Sequence, residues 1–456
     1  MTYRYRIATV FLIGFFIDCI NIFMSAVALP SITADLQISN STIAWVANAY
    51  ILGLTLIIPV STWLAARWGA KAVLTGSMLL FSVSAWMCGQ ATHFSDLVIW
   101  RFIQGLAGGG IIPVGQAMTF NLFQGEQRAR ISTLIMAVAL IAPALSPTLG
   151  GMIVVHSSWR WVFHCNVPLS LIAAALAWLW VNDSALTAPK ARPDLIGLLL
   201  VSAALISVLM GMSLYGAGYS AAVALCCVIL AAVIAVLYVA HYRRTSEAIV
   251  ELRLLGSPRL RISILVYYAI PGIFTGVNLL NIFFLQDALH FSAQATGMFM
   301  ILYASGAFVA MLLCGKCYNQ VGARRLFILG MCLHSVGIAV LFLVEARSDL
   351  ALLITAYSLM GIGGGLGANT AQTTALMDFT GHDTHKASVI WNINRQMTFS
   401  LGTALFLMMF NLLADHVEPS RAYHFTFLIA SVAGLLPLLH IGVLNAPKDC
   451  HAQQQT

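Results

Sequence analysis

The sequence predicts an all-α polytopic membrane protein, built as two six-helix bundles with two extra central helices. Three observations predict it. Hydrophobic residues make up 60% of the 456 and charged residues only 9%, where soluble domains carry about 25% charged residues. Fourteen stretches are long and apolar enough to cross a bilayer. Two glycine-rich stretches recur at a nearly constant offset.

A helix needs about 20 apolar residues to cross a hydrocarbon core of about 30 Å. The stretches that qualify lie near 7–29, 42–64, 72–92, 97–120, 131–155, 165–181, 195–214, 220–240, 262–285, 293–315, 325–344, 350–376, 387–413 and 423–444. The sixth is short; the first, fourth and twelfth carry polar or glycine-rich positions. The opening "MTYRYR" is basic, but the run from Ile7 to Leu29 exceeds the roughly 7–15 residues of a cleavable signal. The first span is therefore expected to stay in the membrane.

An even number of spans puts both termini on one side. With that side cytoplasmic, the inner segments hold every Lys and Arg except Arg101, Arg160, Arg347, Arg395 and Arg421. This is the positive-inside pattern. The net charge of +7 is then a topology signal, which removes a nucleic-acid partner from consideration. The longest hydrophilic loop, 241–261, is short, and no G-x-x-x-x-G-K-[ST] phosphate loop occurs, so no ATP hydrolysis or other enzymatic role is expected. The nine cysteines show no metal spacing and read as small core residues; no metal or cofactor is expected.

The loop "RWGAKAVL" (67–74) recurs as "QVGARRLF" (320–327), an offset of 253. "RFIQGLAGGGIIPVGQ" (101–116) recurs as "YSLMGIGGGLGANTAQ" (357–372), an offset of 256. Gly105, Gly108 and Gly109 match Gly361, Gly364 and Gly365, and Gln116 matches Gln372. Repeats of this kind suggest parallel halves related by an axis along the membrane normal. The expected division is an N-terminal bundle over 1–185, an inserted hairpin over 186–245 facing lipid, and a C-terminal bundle with a short tail over 246–456.

These residues resemble the major facilitator superfamily, and more narrowly its fourteen-span drug:proton antiporter branch. The resemblance rests on "ALPSI" (28–32), "WVANAY" (45–50), "RFIQGLAGG" (101–109), "APALSPTLGG" (142–151) and "WRWVFHCNVP" (159–168). It implies a monomeric carrier in a bacterial inner membrane. Such a carrier exports hydrophobic or amphipathic small molecules by alternating access, with the proton gradient as its energy source. The family's loop after the second span is matched here by Arg67, Gly69 and Lys71, while Ala66 stands at the family's Asp. Its fifth-span motif is matched by Gly150 and Gly151, with Ser146–Pro147 in place of Gly-Pro and an added Pro143. Prolines four apart should bend that helix sharply.

Of sixteen acidic residues, only Asp18 lies clearly inside a span, about 17 Å from the start of the first at 1.5 Å per residue. A charge at that depth costs at least about 3 kcal/mol. Burial disfavours the charged form of a carboxyl and a nearby cation favours it. A group pulled both ways can load and release a proton, so Asp18 is a candidate for proton coupling; a paired Asp that only locks helices together is the other reading. Asn21 and Ser25 share its helix face. The family's own first-span acid falls, by the count from Pro30, at Asn21. Arg101, linked in the family to proton movement, either reaches inward towards Asp18 or snorkels to the outer interface; Gln104 lies one turn on. Trp45, Asn48, Tyr50, Phe283, Asn392 and Arg395 are further candidates to line a cavity. A dedicated exporter of one metabolite, such as a siderophore or antibiotic, and a proton-independent lipid or solute facilitator are the alternative functions.

Overall fold

The computed structural model describes residues 2–38, 40–123, 127–182, 194–216, 220–245, 248–291 and 293–444. Among these residues the chain is helical, with no strand. The helices are α1 (Tyr3–Leu36), α2 (Asn40–Trp68), α3 (Ala70–Gln90), α4 (Phe94–Leu122), α5 (Gln127–His156), α6 (Trp159–His164), α7 (Asn166–Trp180), α8 (Leu195–Gly216) and α9 (Ala221–Tyr242). They continue as α10 (Pro258–Tyr267), α11 (Ile273–Phe283), α12 (Ala293–Val321), α13 (Ala323–Leu341), α14 (Leu350–Thr374), α15 (Gly381–Ala414) and α16 (Pro419–Ala433). Thirteen segments among the described residues are long and apolar enough to span a membrane. Each contains most of one stretch expected from the sequence. The remaining expected stretch, 131–155, falls within α5. That helix runs unbroken through positions 143 and 147, although the side chains of Pro143 and Pro147 lie outside the described residues.

Local sequence explains the breaks. Gly69 and Gly322 stand between α2 and α3 and between α12 and α13, at φ of 88° and 83°. A β-carbon is strained there, so both turns require glycine. The repeat in the sequence thus reappears as one turn made twice. Ser257 caps α10 by accepting from the Leu260 amide at 3.2 Å, with Pro258 at the first helical position. Pro271 lacks an amide hydrogen and sits in the π-turn Tyr268–Gly272, which joins α10 to α11.

The chain forms two compact units. The first comprises Met1–Gln124, Val138–Leu252 and Phe379–Ile393; the second comprises Gly125–Ala137, Arg253–Asp378 and Asn394–Thr456. α5 and α15 are each shared between them. In the first unit, Ile20, Met24 and Ala28 of α1 pack with Val46, Leu97, Trp159 and Phe163. In the second, Phe284, Phe299, Tyr357 and Phe427 centre an aromatic core. The α8–α9 hairpin leaves much of its surface apolar and exposed, including Leu199, Leu225 and Val236.

Lipid gives no hydrophobic drive for helix association, so close backbone packing matters. A β-carbon on Gly105 would come within 2.0 Å of the Tyr50 carbonyl oxygen, and one on Gly109 within 2.3 Å of the Leu54 oxygen. In the second unit, Gly361 and Gly365 meet the Tyr303 and Ala307 oxygens at 2.3 Å each. The same glycines, at the repeat offset, seat α4 on α2 and α14 on α12.

Candidate functional site

α1 turns Asp18, Asn21 and Ser25 into the first unit, where they are 3%, 0% and 1% exposed. α4 supplies Arg101 and Gln104 one turn apart, and both are buried. α2 supplies Tyr50 and the Val46 carbonyl. The Tyr50 hydroxyl donates to Asp18 Oδ1. The Arg101 guanidinium is spread over three acceptors: Nε donates to Val46 O at 3.0 Å, one terminal nitrogen to Gln104 Oε1 at 2.9 Å, and the other to Ser25 Oγ at 3.1 Å. Its carbon also lies 4.4 Å from the centre of the Tyr50 ring, within cation–π range. Gln104 donates onward to Asn21 Oδ1 at 3.3 Å.

One acid and one base therefore share a single buried network, with Tyr50 touching both. Gly108 makes the room: a β-carbon there would stand 2.8 Å from both Asp18 Oδ1 and the Tyr50 hydroxyl. Arg101 is 1% exposed and its nitrogens are engaged inside the bundle.

Arg101→Lys keeps the charge but loses the planar fork. At least two of the three charge-assisted bonds go with it, each worth about 1.5–3 kcal/mol. The expected result is a lower melting temperature in detergent; an unchanged one would show that the fork carries no stability.

The second unit repeats this frame without its charges. At the 256 offset, Arg101 becomes Tyr357, Ser25 becomes Asn281 and Asp18 becomes Phe274. Asn281 donates to the Tyr357 hydroxyl at 2.8 Å, in the place of the Arg101–Ser25 bond. At the 253 offset Tyr50 becomes Tyr303. Its ring stacks on Phe274 with centroids 3.9 Å apart, and its hydroxyl stands 2.7 Å from a β-carbon built on Gly364. The Asp18–Tyr50 pair thus has an aromatic stack as its counterpart.

Trp45 and Asn48 are half-buried on α2. Asn392 is buried and donates to Gln116 Oε1, where Ser388 also donates, at 3.3 Å. Arg395 is half-buried in the second unit. Phe283 is 43% exposed. Arg67 lies 5.7 Å from the Trp63 ring centre, and Lys71 4.3 Å from that of Trp178. A β-carbon on Gly150 would meet Met24 and Val27 of α1 at ordinary contact distance, and one on Gly151 would meet nothing within 4 Å. Sequence reasoning placed Tyr50 only as a cavity candidate. The available signal was the spacing of Val46 and Tyr50, one turn apart on α2 and facing the glycines of α4.

The many apolar helices define an integral multi-pass membrane protein, and a buried acidic and a buried basic side chain lie within its spans. The Major Facilitator Superfamily model matches residues 11–397, and the chain belongs to that family. It is 28% identical over 412 residues to the multidrug resistance protein B homolog of Mycobacterium tuberculosis, covering 88% of this chain and 75% of that protein. It is 25% identical over 434 residues to the putative multidrug resistance protein MdtD of Pectobacterium carotovorum, covering 93% and 92%. The solved structure of the proton:xylose symporter XylE shares the fold, with a TM-score of 0.66 at 15% identity over 96% of this chain and 94% of that one.

Proposed function

We propose that the protein is a proton-coupled exporter of hydrophobic or amphipathic small molecules, working by alternating access. The observation that carries this reading is the Asp18–Tyr50–Arg101 network, one acidic and one basic side chain buried together among apolar spans. The names of the relatives favour a broad range of substrates. Asp18 is the coupling acid. Charged, it is balanced by the nearby guanidinium and held by the Tyr50 hydroxyl; protonated, it gives up that balance, and the network rearranges. Arg101 sets which of the two forms is favoured as the surroundings alternate.

In this reading the protein is a monomer with fourteen spans in a bacterial inner membrane, both termini cytoplasmic. Its bundles cover 1–185 and 246–456, with the hairpin over 186–245 between them. Protons supply the energy and no cofactor takes part. Cavity-lining roles fall to Asn21, Ser25, Trp45, Asn48, Gln104, Phe283, Asn392 and Arg395; Pro143, Pro147, Gly150 and Gly151 shape the hinge, and Arg67, Gly69 and Lys71 form the conformational motif of the loop.

The test is reconstitution with an imposed pH gradient. Ethidium should move against its own gradient and dissipate the proton gradient as it does so. Ethidium movement without proton movement would leave a facilitator. Resistance to a single compound in cells that overexpress the protein would indicate a dedicated exporter.

A further inference from the structure

The α8–α9 hairpin is apolar and outwardly idle, yet its inner end is tied down. His241, near the end of α9, is bonded to Asp194 at 2.6 Å, and Asp194 also caps the start of α8 at the Gly197 amide. Tyr238 both accepts from the Val250 amide at 3.0 Å and donates to the Val250 carbonyl at 2.7 Å. That pair of hydrogen bonds to Val250 ties down the segment just before Glu251.

Glu251 then uses both oxygens. Oε1 accepts from the Tyr242 hydroxyl of α9. Oε2 accepts from Lys386 of α15 at 3.3 Å, with the two side chains 12% and 18% exposed. Two positions on, Ser388 donates to the Pro113 carbonyl of α4 at 3.1 Å. A chain of contacts therefore runs from the hairpin through Glu251 and Lys386 to the seat of α15 on α4, all within the first unit.

We propose that Glu251 is a positioning residue, through which the α8–α9 hairpin holds the first turns of α15 on α4. An ion pair this sheltered is screened far less than one in open water. Its carboxylate is aimed by the Tyr242 hydroxyl, so little side-chain freedom is lost in making it. The Ser388 and Asn392 bonds to α4 are short-range and need α15 to be in place. Where the chain alternates as proposed above, α15 leaves α4 only after this link opens; that consequence rests on the transport reading, while the seating itself does not.

Amide hydrogen exchange reads the seating directly, without substrate or pH gradient. In wild-type protein in lipid nanodiscs, exchange is followed for 381–393, with 70–90 of α3 as the reference. Glu251→Gln and Lys386→Gln should each speed exchange in 381–393 on the order of tenfold, by raising local opening. Tyr242→Phe should raise it by about threefold. The swap E251K/K386E should bring it back to within about twofold of wild type, which a general loss of packing would not do. Unchanged exchange in Glu251→Gln overturns the proposal. Faster exchange in Glu251→Gln with none in Tyr242→Phe removes the hairpin from it. Where Glu251→Gln loosens 70–90 as well, Tyr242→Phe and the swap decide. Transport is measured separately, so failure of the exporter reading leaves this result standing.

Discussion

Asp18→Asn is expected to abolish ethidium transport driven by a pH gradient, down to the level of protein-free vesicles, while downhill ethidium exchange persists. Asparagine has the shape of the aspartate and still offers Oδ1 to the Tyr50 hydroxyl. It carries no charge and takes up no proton. The variant thus removes the titration and keeps the fit. It also removes the negative charge that Tyr50 links to the buried Arg101, so its melting temperature should fall. Both readings of Asp18 share that fall. They part on the gradient: a residue that only locks α1 in place would leave the folded fraction of Asp18→Asn pumping at the wild-type rate per molecule. Full gradient-driven transport in folded Asp18→Asn ends the coupling assignment.

Much of the architecture was legible because lipid imposes a crude rule. A span must satisfy its own backbone and present apolar side chains for its whole length, and both requirements are written locally. The stripe of Asp18, Asn21 and Ser25 was legible for a similar reason, since helical spacing alone puts them on one face. What they touch was not. Beyond Gln104 on its own helix, Arg101 spends its nitrogens on Val46 O of α2 and Ser25 of α1, and no periodicity within one helix encodes a partner on another. The bond of Ser388 to the Pro113 carbonyl has no side-chain signature at its accepting end at all. The glycine repeat lies between these cases. The offset between Gly105 and Gly361 was visible, but its meaning depends on the tyrosine carbonyl that each one faces.

Those tyrosine carbonyls allow fold and site to be tested together. Gly105→Ala would place a methyl 2.0 Å from Tyr50 O and 2.9 Å from the Leu54 amide. Both are backbone atoms on a helix and neither can swing aside, so α2 and α4 must separate. Overpacking of this kind costs about 1–3 kcal/mol, occasionally more. Gly361→Ala makes the equivalent clash with Tyr303 O at 2.3 Å, so both variants should melt at lower temperature and yield less folded protein. Gly151→Ala, with nothing within 4 Å, should match wild type in melting temperature and folded yield. The two damaging variants should then differ in transport. The residue displaced by Gly105→Ala is Tyr50, whose hydroxyl holds Asp18 and whose ring lies against Arg101. The residue displaced by Gly361→Ala is Tyr303, which stacks on Phe274. Gradient-driven transport per folded molecule should therefore collapse in Gly105→Ala and largely survive in Gly361→Ala. Equal losses in the two would mean that the charged copy of the frame has no special part in coupling, and that helix packing alone explains both.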